Sequence, residues 1–434
     1  MLLTIVIALV ILVALIFLKV NAFLAFLISA ITAGLLSGME IGTIINAIET
    51  GLGNTLGSLT IILGFGAVIG KIMAVSGAAR QIAHKLVNVF GQRYLKWAMA
   101  LIGFLIGIPM FFAIGFVILV PLMFSVASKA KVSFIYLGIP LVAAMSVTHG
   151  LLPPHPAPAA IAQQFGSPMG EVILWGMLLA VPTIILSGPI FASLLKNIKS
   201  EPLKIFLDNE SGDRLPGIGI SIFCALLPIF LMMLDSLIGG FIESDSILYQ
   251  FVVFLSQPLT SMLIATIVIL YLLEIRRGTK LKAAMKLMEE AISGIAMILL
   301  IIGGAGALNE VFKVAGLNEY LAGALKGIQI SPIVLCWGIA ALIRVALGSA
   351  TVAAMTTAGI LAPIYVAGTV NPVLLVLATG SGSIIFSHVN DGGFWLFKEY
   401  FNLSIKETLL SWSMMETIIA VCGLAGCLIL NMFI

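Results

Sequence analysis

Three of the four histidines in this 434-residue chain sit in polar stretches that interrupt long apolar runs. His149 and His155 lie in SVTHGLLPPHPAP, and His388 lies in IIFSHVNDGGFW. An imidazole can donate or accept a hydrogen bond, or pass a proton, near neutral pH. Beside His388 stand Ser387, Asn390 and Asp391. A carboxylate such as Asp391 so close to an apolar run is costly, which makes a functional role the first expectation. It can instead cap the helix that begins near Phe394. Arg344 precedes the GSAT cluster, Gly348 to Thr351. Its guanidinium can hold a carboxylate through two parallel hydrogen bonds, or snorkel to the surface. His149 and His155 have no Cys, Asp or Glu near them in sequence, so no metal is expected there. They are expected to bond a polar ligand, relay a proton, or bond a backbone carbonyl. Ser387 and His388 also make a weak nucleophile–base pair for an intramembrane enzyme, because neighbours on a helix point apart.

The elements that carry these residues occur twice. His149 and His388 recur at one offset, shared by Gly64 with Gly303 and by Gly77 with Gly316. The surrounding strings, GFGAVIGKIMAVSG and GAGALNEVFKVAG, keep similar polarity. Each half has two interruptions: Gly107–Gly115 and His149–Pro158 in the first, Gly348–Thr351 and Ser387–Gly393 in the second. A broken helix frees backbone groups. N-termini favour anions, and unpaired carbonyls favour cations or protons. A duplicated membrane protein with polar breaks in each copy is the pattern of a secondary transporter. The plainer alternative is that glycine and proline here only let helices approach closely.

Composition supports lipid as the solvent. The chain is 61% hydrophobic and 9% charged, against roughly 25% charged in soluble domains. Apolar runs long enough to span a bilayer as helices recur at 2–18, 22–38, 57–75, 132–149, 170–195, 217–240, 258–275, 294–313, 372–388 and 409–433. Ile41 to Leu56 and Leu281 to Ser293 are more amphipathic and are expected to lie in the interface or to pack sideways. Residues 98–128 and 332–368 are each too long for one crossing and predict helical hairpins. Basic residues flank the first on both sides, at Arg80, Lys85, Arg93 and Lys96 and at Lys129 and Lys131. Both flanks then face the cytoplasm, as a re-entrant hairpin requires. Five crossings per half put both termini outside and invert the halves. The expected architecture is therefore an all-α polytopic membrane protein of two inverted repeats, at 1–196 and 217–434, joined by a polar cytoplasmic linker at 197–216. The net charge of +3 is spread over loops and implies no nucleic-acid partner. Four cysteines in apolar runs read as small hydrophobes. Asp235 reads as structural, and the first run as a retained helix.

The strings LPPHPAPAAIA, LGSATVAAMTTAGI and SHVNDGGFWLFKEYF, with GIPMFF and KETLLSWSMMETI, resemble signatures of the gluconate:proton symporter (GntP) family, within the ion transporter superfamily. That resemblance implies a proton-driven symporter for gluconate or a related small hydroxy acid in the bacterial inner membrane. It also implies a homodimer, elevator-like movement, and no cofactor other than the coupled proton. The substrate shell it implies is the GIPMFF tip with Pro109 and Phe112, then His149, Pro154 and His155, then Ser349 and Thr351, then Ser387, His388 and Asn390. Arg344 joins that set on its own chemistry. Glycerate, D-serine and similar small acids are alternative substrates. One departure stands out: Ala113 follows the paired phenylalanines, where the family has an acidic residue. Proton coupling then falls to Asp391, His149 or His388, or this chain is uncoupled.

Overall fold

The computed structural model describes all residues except 19, 196, 197, 199, 201–214, 244, 318–329, 363, 364, 366–369 and 390. Most of the expected linker, together with Asn390, therefore lies outside the described residues. Among the described residues the chain is helical and has no strand.

The first half runs α1 (Leu2–Phe17), α2 (Ala22–Leu36), α3 (Ile41–Val75), α4 (Ala78–Phe90), α5 (Leu95–Gly107), α6 (Phe112–Ala130), α7 (Phe134–Leu151), α8 (Pro156–Gln164) and α9 (Met169–Ile185). A π-helical turn, Leu186–Ile190, extends α9. The second half runs α10 (Ile218–Ile238), α11 (Ile247–Ser256), α12 (Pro258–Leu273), α13 (Leu281–Val314), α14 (Pro332–Leu347), α15 (Ala350–Leu361), α16 (Pro372–Gly382) and α17 (Gly392–Phe401). It ends in α18 (Ile405–Leu430), which carries its own π turn at Leu409–Ser413. Seven described helices are long and apolar enough to cross a membrane. Several others are apolar but shorter, α2, α14, α15 and α16 among them.

Both long apolar stretches form a helix, a break and a second helix. α5 and α6 are parted by Ile108–Phe111, and α14 and α15 by Gly348 and Ser349. Gly348 has φ +76°, a left-handed conformation that glycine adopts without strain. Both broken spans form as well. α7 gives way to α8 across Leu152–His155, and α16 to α17 across residues 383–391.

One expectation is corrected. Ile41–Leu56 and Leu281–Ser293 are not separate elements but run on into the spans that follow, the first across a 40° bend between Gly57 and Leu59. They are the N-terminal halves of α3 and α13, which run 35 and 34 residues. No proline interrupts either stretch, so each helix carries on. At 1.5 Å per residue α13 is about 50 Å long, more than the roughly 30 Å of hydrocarbon, while α3 is bent. The unexpected α11 fills the stretch between α10 and α12 and exposes Ile247, Leu248, Phe251 and Phe254.

The first broken span lies deep in protein. In the span from Phe134 to Gln164, 89% of the apolar window is buried. Irregular backbone at membrane depth needs such cover. The two broken spans cross just ahead of the first break: a Cβ on Gly380 would lie 2.2 Å from the carbonyl oxygen of Gly150. Only glycine lets the two backbones approach so closely.

Candidate functional site

The second hairpin turn builds the charged part of the site. Ser349 caps α15, its hydroxyl accepting from the Val352 amide at 3.3 Å. Arg344 sits one turn before Gly348 and donates to its carbonyl through Nη1. Through Nη2 it donates to Asp391 Oδ2. Arg344 is 4% exposed, so it does not snorkel to the surface. Its Nε has no acceptor among the described residues.

Asp391 does three things at once. Its Oδ1 accepts from the Gly393 amide at 3.0 Å and caps α17. Its Oδ2 accepts from Arg344 and from the Ser387 hydroxyl. Ser387 in turn accepts from Trp412 Nε1 at 2.7 Å, and its carbonyl accepts from the Ser413 hydroxyl. Trp412 and Ser413 lie on the π turn of α18, which aims them at the break.

These groups border a cavity of about 400 Å³. Arg344, Leu347, Gly348, Ser349, Ala350, Thr351, Ile384, Asp391, Gly392, Gly393, Trp412 and Glu416 line it from the second half. Phe112, Ser146 and His149 line it from the first. The N-termini of α15 and α17 both border it, and first-turn amides have no intrahelical acceptor. Beside a buried arginine, two such termini favour an anion. Phe112 and Trp412 form an aromatic wall, with ring centroids 5.6 Å apart. Ser146 donates to Glu416 Oε1 at 2.6 Å, and both are buried.

The structure sorts the residues singled out from the sequence. Phe112, His149, Arg344, Ser349, Thr351 and Asp391 line the cavity. Ser387 lies one shell behind it, bonded to Asp391. Pro109 is buried at the first hairpin tip, its carbonyl against Gly70 of α3. Pro154 is buried and faces Gly66 on the same helix. His155 does not line the cavity; its Nε2 is 2.7 Å from the carbonyl oxygen of Gly107, the last residue of α5. His388 is half-exposed and also stands outside it, with Nε2 2.9 Å from the carbonyl oxygen of Val345 in the last turn of α14. Ala113 is exposed in the first turn of α6. Sequence reasoning missed Ser146, Trp412 and Glu416. Glu416 is the lone charge in the apolar run from Leu409 to Leu430, a signal that was there to use.

A family of proteins described as GntP family permeases matches residues 1–433. The chain belongs to that family. A high-affinity gluconate transporter of Escherichia coli (strain K12) is 45% identical over 418 residues, covering 96% of this chain and 95% of its own. A gluconate permease of Bacillus subtilis (strain 168) is 44% identical over 433 residues, covering 96% of each. A Gnt-II system L-idonate transporter of E. coli is 41% identical over 415 residues, covering 95% of this chain and 94% of its own. The fold is shared with two solved structures. The YdaH transporter of Alcanivorax borkumensis superposes with a TM-score of 0.65 at 18% identity, over 90% of this chain and 88% of that one. MtrF of Neisseria gonorrhoeae, from a class of antimetabolite efflux pumps, superposes with a TM-score of 0.64 at 16% identity, over 90% and 84%. This GntP permease is thus a multi-pass membrane transport protein and not an enzyme.

Proposed function

We propose that this GntP permease carries gluconate or a related small hydroxy acid, together with protons, across the bacterial inner membrane by alternating access. One observation carries the reading: a buried arginine and two helix N-termini border one cavity of about 400 Å³. That volume is in the range of small-molecule sites. The substrate carboxylate goes to Arg344 and to the amides that open α15 and α17. Its hydroxyls reach His149, Ser349, Thr351 and Ser146, and its carbon chain lies along Phe112 and Trp412. The family resemblance adds Asn390 to the residues of that shell. The names of relatives, gluconate and L-idonate, favour a sugar acid over glycerate or D-serine. The reading requires no metal or cofactor, only the coupled proton.

The arrangement of equivalent helices supports inverted copies at 1–196 and 217–434. α3 and α13 occupy matching places in the two halves. Gly51 meets Gly306, while Lys71 Nζ pairs with Glu290 Oε2 at 3.3 Å. The two helices therefore run antiparallel, as inversion requires. Both termini then face outward, and the family resemblance adds a homodimer and elevator movement.

Counterflow tests the reading. Proteoliposomes loaded with unlabelled gluconate should transiently concentrate labelled gluconate from outside and release it chemically unchanged. A simple pore gives no overshoot. If gluconate, idonate, glycerate and D-serine all fail to raise the melting temperature of the purified protein, the substrate class is wrong.

A further inference from the structure

We infer that Glu416 carries the coupling proton, taking it up as the substrate anion enters the cavity. The inference rests on the acid-uptake reading above and adds the group on which it depends. The cavity is lined by one cation, Arg344, and two carboxylates, Asp391 and Glu416. Arg344 and Asp391 are paired with each other. Glu416 bonds the neutral Ser146 hydroxyl at 2.6 Å, and among the described residues no basic side chain forms an ion pair with it. A buried site holding an unpaired carboxylate therefore has to accept a second anion. Two carboxylates sharing such a site favour binding one proton between them.

The other candidate groups are engaged elsewhere. Asp391 is held by an arginine, a serine and a helix N-terminus. His388 bonds a carbonyl outside the cavity. Ala113 offers no carboxylate at the first hairpin. The titratable and charged groups around Glu416 are Arg344 of α14, Asp391 ahead of α17 and His149 of α7. Of the other helices packed on α18, α16 has no charged residue and α9 has only Glu171, in its first turn.

The step balances. Glu416 Oε1 already accepts from Ser146, so a proton from the outer aqueous phase binds Oε2 and gives the neutral acid. When the substrate leaves on the inner side, the charge that favoured protonation leaves with it. The proton is then released to the inner aqueous phase, and one monovalent anion crosses with one proton.

The test is proton uptake on ligand binding. Purified protein in weak buffer with a pH indicator should take up about one proton per gluconate bound, with binding followed by calorimetry. E416Q should lose that uptake, bind gluconate with little dependence on pH, and fail to accumulate it under an inward proton gradient. S146A, which removes the hydroxyl that the carboxylate accepts from, should keep proton uptake but shift the pH midpoint of binding. Proton uptake or accumulation persisting in E416Q overturns the inference. Should E416Q not fold, an unmoved midpoint in S146A overturns it. Gluconate binding by the unaltered protein without proton uptake overturns this inference alone. No binding of any sugar acid overturns it together with the function it rests on.

Discussion

The two halves use the same clamp but contribute different chemistry. In each, a histidine from the broken span reaches a carbonyl at the end of the first arm of its own hairpin: His155 to Gly107, and His388 to Val345. The last carbonyls of a helix lack intrahelical donors, and a ring N–H answers that need. Beyond the clamp the halves part. The first hairpin turns through Ile108–Phe111 and enters α6 with Phe112 and Ala113. Its cap residue, Phe111, makes no side-chain bond. The second turns through Gly348 and Ser349 and sets a capped N-terminus beside Arg344. Every charged residue lining the cavity comes from the second half. Both halves carry the clamp, and the charged residues that line the cavity all sit in the second.

The largest loss should come from the second half. Arg344→Met leaves Asp391 without its cation. Breaking a buried pair from one side costs about 3–5 kcal/mol, so melting should fall sharply and uptake should vanish. The double variant Arg344→Met with Asp391→Asn should recover most of the melting temperature and none of the uptake. Recovered uptake would mean that Arg344 only supports the fold. Ser349→Ala should be milder. A lost N-cap costs about 1 kcal/mol, with gluconate binding weakened by about tenfold, and melting and calorimetry read the two effects separately.

The clamps should respond alike, and more weakly in transport. His155→Ala leaves a buried carbonyl without a donor, at about 1–3 kcal/mol. His388→Ala should cost less, since His388 is half-exposed. Both variants should slow counterflow more than they weaken gluconate binding. A large loss of affinity in only one of them would undo the equivalence of the two clamps.

The frame was largely legible in the sequence and the cavity only partly. Both hairpins could be read because Gly, Pro and the GSAT cluster break apolar runs too long for one crossing. Arg344, Ser349 and Asp391 stood out as polar groups beside those breaks. The matching of histidines misled. Equal spacing paired His388 with His149, whereas the clamp pairs it with His155, six residues further on. The breaks differ in length, four residues at Leu152–His155 against nine at 383–391, so spacing is not conserved across them. Ser146 went unread because it is an uncharged residue ahead of the break in α7, and Glu416 because it follows a π turn that neither glycine nor proline marks. Their meeting depends on how α7 and α18 pack, which no local pattern states.

The smallest expected effect is the sharpest on the division of labour. Ala113→Glu puts a carboxylate in the first turn of α6, at an exposed position with room for it. A carboxylate near a helix N-terminus stabilises by about 0.3–1 kcal/mol, so melting should rise slightly or hold. If the second half carries the charge chemistry, gluconate affinity and its pH dependence should stay as they are. A changed proton count per gluconate in this variant would make the first hairpin tip part of the proton path. The clamp would then be common to two chemically active halves, and the asymmetry seen at Ala113 would be a difference of degree.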